Sequence, residues 1–150
     1  MALSFLTRVV RQFRSQPVFS LISQSRHMAG EGSINDIKFE ILKDKLLNGD
    51  ITLVDVREPA ELKDDGRIPK SLNIPLGQVE EAFKLPPSEF LSKYGVSKPN
   101  PESSGVVLSC RSGKRATSAF EKLKLLGYKN ALVYAGSFQD WVENGGPIEK

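Results

Sequence analysis

The 150-residue chain holds one cysteine, Cys110, and one histidine, His27. A lone cysteine excludes an intramolecular disulfide framework and leaves too few thiolates for a zinc ribbon or an iron–sulfur cluster. A lone histidine removes the usual multi-histidine metal site, so neither a metal nor an organic cofactor is expected. No run of roughly 18 apolar residues occurs, which excludes a hydrophobic spanning helix, and membrane insertion is not expected. Residues 1–30 contain no aspartate or glutamate; all 18 acidic residues fall in 31–150, where they nearly balance the basic ones. That body has no basic stripe, so nucleic acid is not an expected partner.

The first thirty residues read as an address. They carry Arg8, Arg11, Arg14 and Arg26 and five serines, with Leu6, Val9, Val10 and Phe13 at helical spacing between the arginines. A segment that is Arg-rich, Ser-rich, acid-free and amphipathic has the signature of a mitochondrial transit peptide. The expected organisation is a transit peptide over 1–30, disordered in the mature context, and a single domain over 31–150, with the matrix as destination. Met28 opens a second possible start, which would give a cytosolic form.

The body alternates short apolar runs with helical patterns. Strands are expected at 51–56, 72–74, 105–109 and 131–134, each a short apolar run of the kind buried on both faces in a parallel sheet. Asp36 is positioned to cap a helix carrying Ile37, Ile41, Leu42 and Leu46, stopped at Asn48-Gly49. A short helix is expected from Glu58 to Asp64, with Pro59 at its first position rather than in a site. Ala116, Ala119, Phe120, Leu123 and Leu126 line one face of a longer helix. Ser137-Phe-Gln-Asp140 reads as a capping signal before a last helix with Trp141, a core anchor. Residues 84–104, rich in proline, read as a loop with one helical turn near 88–93. The order predicts an α/β fold, a short and mostly parallel sheet with helices on both faces, and ligands outside the carboxyl ends of its strands.

One such strand delivers Cys110 to its carboxyl end, followed by Arg111, Ser112, Gly113, Lys114 and Arg115 before a helix. Loop N–H groups, a helix N-terminus and three cations all favour an anion at the sulfur. Cysteine phosphatases place five residues between Cys and Arg; here four separate Cys110 from Arg115, so that loop is one residue short. A Cys-dependent phosphatase or arsenate reductase is therefore the less favoured reading.

Cys110-Arg-Ser-Gly-Lys-Arg115 resembles the six-residue active-site loop of single-domain rhodaneses, thiosulfate sulfurtransferases. Asp55-Val-Arg-Glu-Pro59, Gly66-Arg-Ile-Pro-Lys-Ser-Leu-Asn-Ile-Pro75 and the segment from Leu126-Gly-Tyr through Val133-Tyr-Ala-Gly-Ser-Phe-Gln-Asp-Trp141 are similar to three other runs of the family. The four run from Asp55 to Trp141, and the resemblance covers 35–145. Phe90-Leu-Ser-Lys-Tyr-Gly95 and the Lys-Arg loop ending are closest to the thiosulfate–glutathione branch. Arg67 stands where the family usually has His, and Lys70-Ser71 where it has Gly-Ala. The resemblance implies a rhodanese-like three-layer fold with Cys110 as nucleophile and residues 111–115 as the substrate-binding loop. Lys114 and Arg115 would attract a dianion, and Arg115 would also bond the loop from within. Asp55 and Arg57 would form a supporting ion pair, and Tyr134, Phe138 and Trp141 would wall the pocket. The implied partners are thiosulfate and small thiols such as glutathione, with cyanide as a test-tube acceptor and a protein sulfur acceptor as a further option. The alternative from a different class is a catalytically silent rhodanese-like interaction module, against which the intact Cys110 stands.

Residues 1–30 fused to a fluorescent reporter are expected to carry it into mitochondria, and changing Arg8, Arg11 and Arg14 to Glu to abolish import. A reporter that stays cytosolic before any substitution would move the start to Met28.

Overall fold

The computed structural model describes residues 35–150; the expected transit peptide at 1–30 lies outside the described residues. Among the described residues no helix is long and apolar enough to cross a membrane. Among the described residues, six α-helices and four strands follow the order α1 (Phe39–Asn48), β1 (Thr52–Asp55), α2 (Pro59–Asp65), β2 (Leu72–Asn73), α3 (Val79–Lys84), α4 (Pro87–Tyr94), β3 (Val106–Ser109), α5 (Lys114–Leu125), β4 (Leu132–Val133) and α6 (Ser137–Glu143). The strands form one parallel sheet in the order β2-β1-β3-β4.

Alternation along the strands divides the core into two layers. Val54, Val106 and Leu108 face α3, α4 and α5 with Phe83, Phe90, Phe120 and Leu123. Leu53 and Val107 face α1 and α6 with Phe39, Leu42, Phe138 and Trp141. Both faces are apolar, as a sheet covered on two sides requires. Trp141 is buried as expected and donates Nε1–H to the Pro147 carbonyl at 2.8 Å.

Several boundaries differ from the sequence reading. Asp36 caps no helix: α1 starts at Phe39, and residues 35–37 run along the sheet edge instead, where Ile37 N–H donates to Val133 O at 3.0 Å. The Asp36 carboxylate accepts from Ala135 N–H at 3.2 Å, a long-range partner that local capping rules do not weigh. The proline-rich stretch is more helical than a single turn, because Pro87 sits at the tolerated first position of the eight-residue α4. The short helix α3 escaped the pattern, although Val79, Ala82 and Phe83 bury one face at helical spacing.

The sheet order turns outward in opposite directions from its central pair: β1 leads to β2 on one side and β3 to β4 on the other. Asp55 and Ser109, which end β1 and β3, are paired neighbours at this switch. A crevice opens at such a point because the two following connections diverge. The connection after β1 carries Arg57 and α2; the one after β3 carries Cys110.

Candidate active site

Cys110 is fixed before its side chain is considered. Its N–H donates to Ser137 Oγ at 3.0 Å, and its carbonyl accepts from Phe138 N–H at 3.0 Å. The Arg111 carbonyl accepts from Gln139 N–H at 3.1 Å. Ser137 donates its single hydroxyl proton to the Tyr134 carbonyl at 2.7 Å, which leaves an oxygen lone pair for Cys110. Ser137 itself adopts φ 54°, a left-handed conformation that turns the chain from β4 into α6. Its role is therefore not the N-cap expected from the sequence: it belongs to the first turn of α6 and clamps the start of the loop.

Gly113 closes the loop. It has φ 100°, and an added Cβ would lie 2.2 Å from the Ala135 carbonyl oxygen. Only glycine meets both constraints. From this position Gly113 N–H donates to Cys110 Sγ at 3.0 Å, so the sulfur rests against the N-terminus of the twelve-residue α5. The first-turn N–H groups of a helix lack intrahelical acceptors and carry its positive dipole end. Cys110 is 1% exposed and forms the floor of the loop.

The loop is shorter than the sequence suggested. Helix α5 begins at Lys114, because left-handed Gly113 starts the helical turn and its carbonyl accepts from Thr117 N–H at 3.0 Å. Lys114 and Arg115 thus belong to the first helical turn, and only residues 111–113 are irregular.

Two of the three cations are paired with acids of α2. Arg115 bonds Glu61, with Nη1 and Nη2 at 2.6 and 2.8 Å from the two carboxylate oxygens. It does not bond the loop from within, because Glu61 already stands fixed opposite it. Glu61 accepts Glu58 N–H at 3.0 Å and completes the capping box of α2. The Arg115 hydrogen bonds hold the Glu61 carboxyl at about 2, against an ordinary 4.5. Arg111 pairs with Asp65 at 3.2 Å, at the other end of α2. Lys114 is exposed and has no ion-pair partner among the described residues; Ser112 is exposed beside it.

The expected pair of Asp55 and Arg57 is present and fully buried. Arg57 Nε lies 3.1 and 3.0 Å from the two Asp55 oxygens, and Nη2 lies 2.7 Å from Oδ2 and 3.0 Å from the Gly66 carbonyl. The guanidinium stacks on the Phe138 ring at 4.2 Å from its centroid. Its support therefore reaches Cys110 through Phe138, whose N–H holds the Cys110 carbonyl. Of the three aromatic residues expected to wall the pocket, Phe138 lines the cavity beside Arg111. Tyr134 is buried, and its burial, with the hydrogen bond of its hydroxyl to Asp140, pushes the phenol well above its usual range.

Glu61, Asp65 and Ser137 were not singled out from the sequence as site residues. The acids lie about fifty positions from their arginines, and only the side-by-side placement of β1 and β3 brings them together. Ser137 had a signal, its place in the Ala-Gly-Ser-Phe-Gln-Asp-Trp run, but local capping rules assigned it elsewhere.

A family model described as the rhodanese-like domain matches residues 38–144. The human thiosulfate:glutathione sulfurtransferase is 37% identical over 102 residues, covering 68% of this chain and 88% of its own. A mitochondrial thiosulfate sulfurtransferase of Saccharomyces cerevisiae is 39% identical over 94 residues, covering 63% of this chain and 62% of its own. The solved structure of a human single-domain sulfurtransferase matches with a TM-score of 0.67 at 35% identity, covering 73% of this chain and 96% of that one.

Glu61→Gln keeps the capping-box acceptor and removes the charge facing Arg115. A carboxyl depressed from 4.5 to about 2 on folding stabilises the protein fully above 4.5, and that contribution fades as pH falls toward 2. Denaturant titrations are expected to show the variant less stable at neutral pH by up to about 1 kcal/mol, since the pair is only half-buried. The difference should shrink as the pH is lowered from 4.5 to 2. A deficit that stayed constant across that range would mean that the pair contributes nothing through its charge.

Proposed function

The chain belongs to the rhodanese-like domain family, and on that premise we propose that it is a thiosulfate sulfurtransferase working through a persulfide on Cys110. The observation that carries this is the placement of Sγ 3.0 Å from Gly113 N–H at the start of α5. An N–H at the start of a helix that faces the sulfur also suits an anionic donor arriving there.

In the first step the Cys110 thiolate attacks the outer sulfur of thiosulfate. The new S–S bond forms as the old one breaks, and sulfite leaves with the electron pair. In the second step an acceptor thiolate attacks the outer sulfur of the Cys110 persulfide, and the electron pair returns to Sγ. The chemistry is covalent catalysis with ping-pong order. Glutathione fits the names of the relatives as acceptor; cyanide would serve in vitro, and a protein thiol would react in the same way. Residues 111–113 supply the backbone of the cup, Ser112 a hydroxyl at its rim, and Lys114 the unpaired cation that draws the donor. Arg111 and Arg115, each paired with an acid of α2, brace the cup from outside while adding to its positive field. A phosphatase reading asks for a longer loop, and a purely binding role leaves the buried, donor-bound Cys110 unexplained. A mitochondrial location accords with residues 1–30 and with the yeast relative.

The full chain mixed with thiosulfate is expected to gain the mass of one sulfur atom and release one equivalent of sulfite. Cys110→Ser is expected to lose both while keeping the wild-type circular dichroism spectrum, because oxygen is smaller than sulfur and no second cysteine exists to take over. Wild-type protein that takes up no sulfur would overturn the reading.

Because Arg111 and Arg115 are already paired, attraction of the dianionic donor depends on Lys114 more than its share of the charge suggests. Lys114→Val is expected to raise the KM for thiosulfate, and to do so most at low ionic strength, where exposed charges are least screened. A KM unchanged at every salt concentration would remove Lys114 from donor recognition.

A further inference from the structure

Beside the Cys110 loop lies an open cavity of about 340 Å³, lined by Asp65, Arg111, Phe138, Gln139, Val142, Glu143 and Ile148. Nothing in the sulfur-donor step uses it. Thiosulfate has five heavy atoms and fits in the cup itself, whereas small-molecule sites typically begin at about 300 Å³. The cavity shares its wall with the nucleophile: Arg111 follows Cys110 directly, and Phe138 and Gln139 donate their N–H groups to the Cys110 and Arg111 carbonyls.

Its chemistry is specific. Phe138, Val142 and Ile148 give it an apolar side. Ile148 is held in place by the chain end, where Arg67 and Glu149 exchange two backbone hydrogen bonds at 2.8 and 2.9 Å. The polar side carries one guanidinium, Arg111, two carboxylates, Asp65 and Glu143, and the Gln139 amide. Asp65 and Arg111 meet in a single exposed contact at 3.2 Å, a weak pair that a ligand can outcompete. A mixed set of this kind suits a ligand with both charges close together, and it suits neither a simple anion nor an apolar thiol.

We propose that this cavity is the acceptor subsite, and that Asp65 and Glu143 select a small peptide thiol bearing an α-ammonium group beside a carboxylate, of which glutathione is the chemical type. The inference rests on the persulfide reading. Arg111 receives the α-carboxylate, the two acids of α2 and α6 receive the ammonium, and the apolar side takes the peptide backbone. The thiol is then directed over the wall formed by Phe138 toward the outer sulfur on Cys110. Asp65 and Glu143 are specificity residues: they touch the acceptor and take no part in making or breaking the sulfur bonds.

The test compares the full-length wild type with Asp65→Asn/Glu143→Gln, using glutathione, N-acetylated glutathione, which lacks the ammonium, and cyanide as acceptors. In the variant, kcat/KM for glutathione is expected to fall about fivefold or more relative to kcat/KM for cyanide, the scale of exposed charge pairs. Acetylation should cost the wild type a similar factor and cost the variant nothing further. Sulfite release in a single turnover with thiosulfate should be the same in the wild type and in Glu143→Gln alone, which leaves the Asp65–Arg111 pair intact. Equal losses with glutathione and cyanide, or an acetylation penalty that survives in the variant, would overturn the assignment of the cavity. Absence of sulfur uptake in the wild type would instead sink the persulfide reading, and this inference with it.

Discussion

The site depends on one close approach, that of Gly113 to the carbonyl of Ala135. No side chain fits between them, and no other residue takes φ 100° without strain. Because the two backbones touch, the loop after β3 and the turn after β4 become one body. Ser137 and Phe138 then reach the Cys110 backbone, and Gly113 N–H reaches its sulfur. Were the loop held off by a methyl group, these contacts would open together, since all of them are hydrogen bonds that weaken steeply with distance and angle. The geometry around Cys110 is thus set by packing of main chain on main chain, not by the cations around it.

Two kinds of ion pair surround this body and do different work. Asp55–Arg57 is fully buried, and each charge would be very costly alone; removing one partner of such a pair costs about 3–5 kcal/mol. Its value is positional: it ties the end of β1 to the Gly66 carbonyl and gives Phe138 a flat cation to rest on. The pairs from α2 are partly exposed and individually weak. Yet α2 buries no residue of its own, so its capping box and its contacts with Arg111 and Arg115 are what hold it against the loop. A helix so lightly attached defines the rim of the site, while the buried pair defines its base.

The strands, the position of Cys110 at a strand end and the buried pair are readable in the sequence for physical reasons. Short runs such as 105–109 have no polar face, which only a doubly covered strand tolerates. Asp55 and Arg57 end a strand next to one another, so their pairing is local. Where the reading failed, the deciding contact was distant or the competition was close. Local spacing puts Asp36 at a helix end, because a capping rule sees four residues ahead and not Ala135. It turns Arg115 inward, because Glu61, fifty-four positions earlier, is invisible to spacing. It starts α5 two residues late, because a positive φ at Gly113 shortens the loop without any change in residue type. The cavity that Ile148 helps to wall left no trace at all, since it needs the chain end folded back on Arg67.

These pairings change how the charge of the loop is to be understood. Three cations in five residues suggest a strongly basic cup, but two of them face carboxylates of α2. That leaves Lys114 as the loop cation without an ion-pair partner among the described residues, beside the backbone dipole of Gly113 N–H that points at the sulfur. Such dipoles are fixed by the fold and need no reorganisation when an anion arrives. In the proposed transfer, such a cup faces negative charge both when the donor arrives and after the outer sulfur has been handed on. On the proposed reading, Asp65 and Glu143 add acids to the wall of the cavity beside Arg111, so its lining differs in charge from the loop itself.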